Sequence, residues 1–266
     1  MTALYKVIAC DLDGTLLDAD HRLASFSIAM VRAVVARGVT FVIATGRHLN
    51  EVAAIRAELG VPGDVITCNG ARVHDAANRV IYRQDLPAEL VRELSRPAIA
   101  RGAMINVYTE DEWLVDHLEP RPHGTVSTGV TARIFDPSQF AGDDVAKLFY
   151  IAAPRVLEDI ERDVQARFGD RISYAYSLED CLEITAAGVT KGRALAAWLA
   201  GHGLTPADCI AFGDGMNDLQ MLQLAGKALV MANASPRVRA ALPGIEAIGS
   251  HRDEAMAHYI QALFQL

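Results

Sequence analysis

The chain has 266 residues, 51% of them hydrophobic and 22% charged, with no long polar low-complexity tract, so it can bury one large core or two smaller ones and is not expected to be disordered. A formal net charge of −8 argues against a general nucleic-acid binder, which needs a basic surface to displace counterions from phosphates. Cys10, Cys68, Cys181 and Cys209 are widely spaced and read as buried free thiols; with no signal-like or membrane-length apolar run, the expectation is a cytoplasmic protein with no membrane partner.

In chain order, residues 4–10 form a short apolar run with the β-branched pair Val7 and Ile8, which predicts a buried strand leading into an acidic, glycine-containing loop. Residues 25–37 place Ile28, Val31, Val34 and Val35 at helical spacing and end at Gly38, a favourable helix stop. A strand over 39–44, a helix over 50–59 stopped by Gly60 and a strand over 65–68 follow. Strand and helix alternate, which implies parallel βαβ units.

Between about residues 84 and 188 the pattern changes. A helix follows Pro87, residues 104–108 and 113–115 read as a hairpin, and then come a strand, a helix and two strands; residues 120–130 read as loop. The βαβ grammar returns with a helix after Thr190, a strand at 210–212, a helix from Asn217, a strand at 228–231 and a helix start at Ser235-Pro236. The predicted fold is therefore α/β, a Rossmann-like, doubly wound parallel sheet over residues 1–83 and 189–266, with an α+β unit inserted over 84–188.

Four segments carry the chemistry. In Asp11-Leu12-Asp13-Gly14-Thr15-Leu16, two carboxylates two residues apart sit just past a buried strand, where open α/β sheets bind ligands; an ordinary Asp-Gly turn is the plain alternative. Asp214-Gly215-Met216-Asn217-Asp218 stands in the same place after its own strand, so two acidic loops can share a cation that prefers hard oxygen donors, such as magnesium. Asp218 there is either a ligand or a carboxylate behind the ligands, and both Asn217 and Asp218 are also good helix caps. Ala44-Thr45-Gly46-Arg47 follows the second strand and offers a hydroxyl and flexible backbone amides to phosphate oxygens, or simply turns the chain.

The fourth segment is Gly188-Val189-Thr190-Lys191-Gly192. Lysine occurs only at Lys6, Lys147, Lys191 and Lys227 among 25 basic residues. A lysine in the first turn of a helix opposes the helix dipole, a conflict that a bound phosphate or the carboxylate of Asp11 would remove.

Taken in this order, the four segments resemble the motifs of the haloacid dehalogenase superfamily of phosphohydrolases. The inserted unit is similar to the α/β cap of its Cof-type subfamily, and Cys68-Asn69-Gly70-Ala71 looks like a segment of that group. Asn106-Val107-Tyr108, Asp111-Glu112-Trp113 and residues 211–218 are similar to the YigL-type pyridoxal phosphate phosphatases of bacteria. The resemblance implies Asp11 as nucleophile and magnesium ligand, and Asp13 as proton donor and acceptor that lends its backbone oxygen to the metal. Asp214 and Asp218 complete the metal site, while Thr45, Gly46, Lys191, Asn217 and the Leu12 amide hold phosphate oxygens. Loop position adds Arg47 and Asn69 as substrate contacts.

The implied activity is magnesium-dependent hydrolysis of small phosphorylated metabolites, pyridoxal 5'-phosphate before sugar phosphates, through an aspartyl phosphate. A phosphomannomutase-like phosphotransferase shares the aspartate pair, and a receiver-type phosphoacceptor module shares the Asp, Thr and Lys set. Asp13 and the large insertion weigh against the receiver. None of the eight histidines has metal-site spacing; His48 reads as a solvated helix start.

Overall fold

The structure is a computed structural model and describes residues 5–118 and 131–266. It opens with β1 (Val7–Cys10), whose four residues are all buried. Ile8 and Cys10 face one core and Val7 and Ala9 another, the two-sided burial of a central strand. Next come α1 (Ser25–Ala36), β2 (Thr40–Ala44) and α2 (Leu49–Leu59), the last closed by Gly60 at φ +65°. β3 (Val65–Thr67) is shorter than expected because Cys68 and Asn69 both turn into the left-handed region, at φ +49° and +58°. β4 (Arg72–His74) and β5 (Val80–Arg83) then extend the sheet, with β4 antiparallel to β3. The periodicity does not announce this pair: three residues are too few for a pattern, and β4 buries Arg72 and His74 where an apolar run would be looked for.

The chain continues through α3 (Ala88–Leu94), α4 (Pro97–Ala100), β6 (Met104–Tyr108), β7 (Trp113–Val115), β8 (Arg133–Ile134), β9 (Lys147–Ile151), α5 (Pro154–Phe168), β10 (Ile172–Leu178) and β11 (Cys181–Ala186). The loop expected at residues 120–130 lies outside the described residues. The rest is α6 (Lys191–Gly201), β12 (Cys209–Gly213), α7 (Leu219–Leu224), β13 (Lys227–Val230), α8 (Pro236–Ala241), β14 (Glu246–Ala247) and α9 (Ala255–Phe264).

The chain divides into two compact units, Met1–Tyr82 with Thr190–Leu266, and Arg83–Val189. In the first, the sheet runs β14-β13-β12-β1-β2-β3-β4-β5 and is parallel from β14 to β3. Residues of α1, α2 and α9 cover one face, and residues of α6, α7 and α8 the other. From β1 the chain winds outward through β2 and β3, and later in the opposite sense through β12, β13 and β14, so β1 lies at the switch point where such sheets open a crevice.

In the second unit the sheet runs β10-β11-β9-β6-β7-β8, and β6 and β7 form the expected hairpin, with Tyr108 opposite Trp113. Buried Tyr150 of β9 donates to the Leu94 carbonyl at the end of α3 (2.7 Å), tying sheet to helix. Lys147, also buried, pairs with Glu183 (2.8 Å) across β9 and β11. All four cysteines are buried free thiols.

Candidate active site

Strand register sets the first contacts. Cys10 lies opposite Phe212 on one side and Ile43 on the other, so the residues just past β1, β12 and β2 emerge at one edge of the sheet. Asp11 follows Cys10 directly, and its amide donates to the Phe212 carbonyl (3.1 Å). The loop beyond it turns at Gly14, φ +81°, and a Cβ there would strike the Asp214 carboxylate. Glycine is thus needed twice over, for the left-handed turn and for the close approach of the two acidic loops. Thr15 Oγ1 donates to Asp214 Oδ1 (3.2 Å) and fixes that approach.

Lys191 begins α6 behind Thr190, whose hydroxyl caps the helix by accepting from the Arg193 amide (3.0 Å). Fully buried, its ammonium donates to Asp11 Oδ1 (2.6 Å) and Asp218 Oδ1 (2.7 Å). The carboxylates therefore supply the anion that the helix start lacks. Asp218 Oδ2 accepts from the amides of Asp214 (3.0 Å) and Gly215 (2.8 Å), so both its oxygens are engaged and it shapes the loop that carries Asp214.

One ligand oxygen from each of Asp11, Asp214 and Asp218 lies within 4.8 Å of the others. Burial and the charges of Asp218 and Asp214 push the Asp11 carboxyl well above the usual range, with Lys191 opposing. Asp214 is pushed up to about 6, by burial first and Asp218 second. Burial works against the Lys191 ammonium, yet Asp11 and Asp218 hold its proton more tightly than usual. Three carboxylates thus outnumber one ammonium in a desolvated space, and the hard-oxygen donor set fits a divalent cation such as magnesium.

Asp13 stands apart from that cluster. Arg47 grips its carboxylate with two donors, Nε to Oδ2 (2.8 Å) and Nη2 to Oδ1. His21 Nδ1 meets Oδ1 as well (2.9 Å). Burial would raise the Asp13 carboxyl, but the bonds and charge from Arg47 and His21 hold it below the usual range.

Thr45 and Gly46 lie at the end of β2; Thr45 Oγ1 accepts from the Arg47 amide (3.1 Å). Asn69 is buried and accepts at Oδ1 from Asn217 Nδ2 (3.0 Å), joining the loops after β3 and β12. Leu12 is buried beside Asp11. The loop positions read from the sequence do bring Arg47 and Asn69 to this edge, but their partners here are Asp13 and Asn217.

Two residues at the site are not marked by any motif. His21 comes from a turn in which Asp18 Oδ1 accepts from the amides of Asp20 (2.8 Å) and Arg22 (2.9 Å). Asn233 Nδ2 bridges the Gly14 carbonyl (2.8 Å) and Asp214 Oδ2 (3.1 Å). An Asx turn at Asp18 is foreseeable from composition, whereas nothing local points Asn233 toward a loop more than two hundred residues earlier. His48 is a correction. It does start a helix, but it is buried, not solvated: its ring accepts from the Asn50 amide (3.2 Å) while Glu51 accepts from the His48 amide (2.8 Å).

A parallel sheet with an aspartate pair at its switch point, a buried lysine and a second acidic loop defines a class, and the family model for haloacid dehalogenase-like hydrolases matches residues 8–260. The chain belongs to that family, and it is a phosphatase. Among similar proteins, the HMP-PP phosphatase of Yersinia pestis is 35% identical over 260 residues, covering 97% of this chain and 94% of the relative. A haloacid dehalogenase-like hydrolase from Bacteroides thetaiotaomicron superposes with a TM-score of 0.86 at 26% identity, covering 98% of this chain and 100% of that one. A subclass IIB sugar phosphatase shares the fold at 22% identity, with a TM-score of 0.81 over 98% of this chain and all of the other. Among the described residues no helix is long and apolar enough to cross a membrane.

Proposed function

We propose that the protein is a magnesium-dependent phosphomonoester hydrolase acting on small phosphorylated metabolites through an aspartyl phosphate on Asp11. The observation that carries this is the buried Asp11–Lys191–Asp218 contact beside Asp214, which joins a nucleophile, a cation and a metal-suited carboxylate set in one desolvated space.

An Asp11 oxygen attacks phosphorus as the ester P–O bond breaks, and the departing oxygen takes a proton from the Asp13 carboxyl. The nearby phosphate dianion raises the proton affinity of Asp13, offsetting the pull of Arg47. Asp13 then accepts a proton from the water that attacks the phosphoenzyme, which frees Asp11 and releases phosphate. Lys191 neutralises phosphoryl charge, and Thr45, Gly46, Asn217 and the Leu12 amide orient the phosphoryl oxygens. Asp11, Asp214 and the Asp13 backbone oxygen would hold magnesium, with Asp218 fixing Lys191 and the loop behind them. The metal would lower the repulsion between an anionic nucleophile and an anionic substrate.

Pyridoxal 5'-phosphate is the preferred substrate in this reading, with sugar phosphates secondary; the Yersinia relative adds HMP-PP as a further candidate. A panel of these compounds, compared by kcat/KM with phosphate release as readout, tests the assignment. Turnover of pyridoxal phosphate at or below the sugar phosphates removes the preference. A hexose phosphate converted to its isomer as fast as phosphate is released would make the enzyme a phosphotransferase instead.

A further inference from the structure

Asp13 lies outside the cluster of Asp11, Asp214 and Asp218, and 39% of its side chain is exposed. A short side chain so placed has several rotamers open to it, yet proton delivery to a leaving oxygen needs one orientation held to within a fraction of an ångström. Two residues on different loops supply that constraint. Arg47 presents its fork to both oxygens of the carboxylate, which fixes the plane of the group. His21 adds a third bond at Oδ1 (2.9 Å); because a carboxylate only accepts, Nδ1 carries the proton here.

Both partners are themselves held. The Arg47 amide donates to Thr45 Oγ1 (3.1 Å), and its carbonyl accepts from the Cys68 amide (3.0 Å), which ties it to the ends of β2 and β3. The His21 amide donates to the Asp18 carbonyl (3.1 Å), and the residue sits at φ +58°, a conformation a histidine seldom adopts. That backbone turn is what brings the ring to Asp13.

We propose that His21 and Arg47 are positioning residues for proton transfer at Asp13, a two-sided clamp that sets the direction in which its carboxyl meets the departing ester oxygen. The clamp rests on the reading of Asp13 as the group that protonates the leaving group. It differs from a surface ion pair in what it changes. An ion pair affects folding equally for every substrate, whereas a clamp on Asp13 matters in proportion to how much the leaving group needs a proton. Para-nitrophenolate leaves readily without one, and an alkoxide does not.

The test compares kcat/KM, which reports every step through leaving-group departure, for para-nitrophenyl phosphate and for a primary-alkyl sugar phosphate. The variants are His21→Ala, His21→Asn, Arg47→Gln and Arg47→Lys, each alone and combined with Asp13→Asn. With the full effect of a general acid spanning roughly 100- to 10,000-fold, loss of one clamp arm is expected to lower the alkyl rate about 10-fold for His21→Ala and more for Arg47→Gln. For His21→Ala the nitrophenyl rate should change less than about 2-fold, for Arg47→Gln it should fall less than the alkyl rate does, and neither substitution should cost the alkyl substrate anything further once Asp13→Asn is present.

His21→Asn keeps a donor on a short side chain and should recover part of the loss, as should Arg47→Lys. These two also serve if a truncated variant fails to fold. Equal losses on both substrates, or full multiplicative losses on top of Asp13→Asn, would overturn the clamp. If Asp13→Asn itself slows both substrates alike, Asp13 does not protonate the leaving group, and the proposal falls with that reading.

Discussion

As the proposed nucleophile, Asp11 carries two demands that pull in opposite directions. Catalysis needs an ionised oxygen aimed at phosphorus, while burial and two neighbouring carboxylates resist that charge. Because its folded-state pKa is raised, the stability Asp11 contributes is present at low pH and is lost as pH rises through the folded value. Asp11→Asn is therefore expected to abolish turnover and yet raise the metal-free melting temperature by a few degrees, a trade that functional residues commonly make. Calorimetry in EDTA beside a phosphate-release assay checks both halves, and retained activity would overturn the nucleophile assignment. Asp13→Asn should behave differently. It leaves the buried carboxylates intact, so it should slow turnover by roughly 100-fold or more while phosphoenzyme accumulates with activated substrates, detectable by acid quench with labelled phosphate.

At the scale of elements, legibility depended on whether a signal is local. β1, α1 and β2 declare themselves through an apolar run, helical spacing and a glycine stop, and the four motifs all lie where such elements begin or end. Lys191 is the clearest instance: its conflict with the helix dipole implied an anion, and the structure supplies two carboxylates. His21 and Asn233 reach the site only through tertiary contacts, and β4 is a short strand whose polar side chains are buried by what surrounds it. One of these, His74, pairs through Nε2 with Thr67 Oγ1 across β3 and β4 (3.1 Å). Burial first, and then the nearby charge of His48, lower its pKa from 6.5 to about 4. The fold thus disfavours its charged form. Stability from this residue is fully present above pH 6.5, is lost as pH falls from there towards 4, and changes no further below that. The span corresponds to up to about 3 kcal/mol. Urea titrations at several pH values should show a shallower acid slope in His74→Gln than in the parent over that window; identical slopes would mean that His74 does not remain neutral.

Over the whole molecule, the residue and element features converge on one consequence for the metal. A net charge of −8 draws divalent cations to the surface in general, but among the described residues three carboxylates gather beside β1, Asp11 and Asp218 buried and Asp214 half-buried, with both oxygens of Asp214 and of Asp218 engaged by protein donors. A cation binding there binds the folded chain alone, because the unfolded chain scatters Asp11 and Asp214 two hundred residues apart. At a concentration about 100 times its dissociation constant, such a ligand adds about 2.7 kcal/mol. For a domain of about 150–250 residues this means a rise in Tm of roughly 5–10 °C. Magnesium chloride against EDTA in a calorimetric scan should produce that shift in the parent protein. Asp214→Asn should lose it, and Asp13→Asn should largely keep it, since its backbone oxygen remains. A melting temperature indifferent to magnesium, or an Asp214→Asn protein that responds as the parent does, would remove the cation from this site and leave Lys191 to balance Asp11 and Asp218.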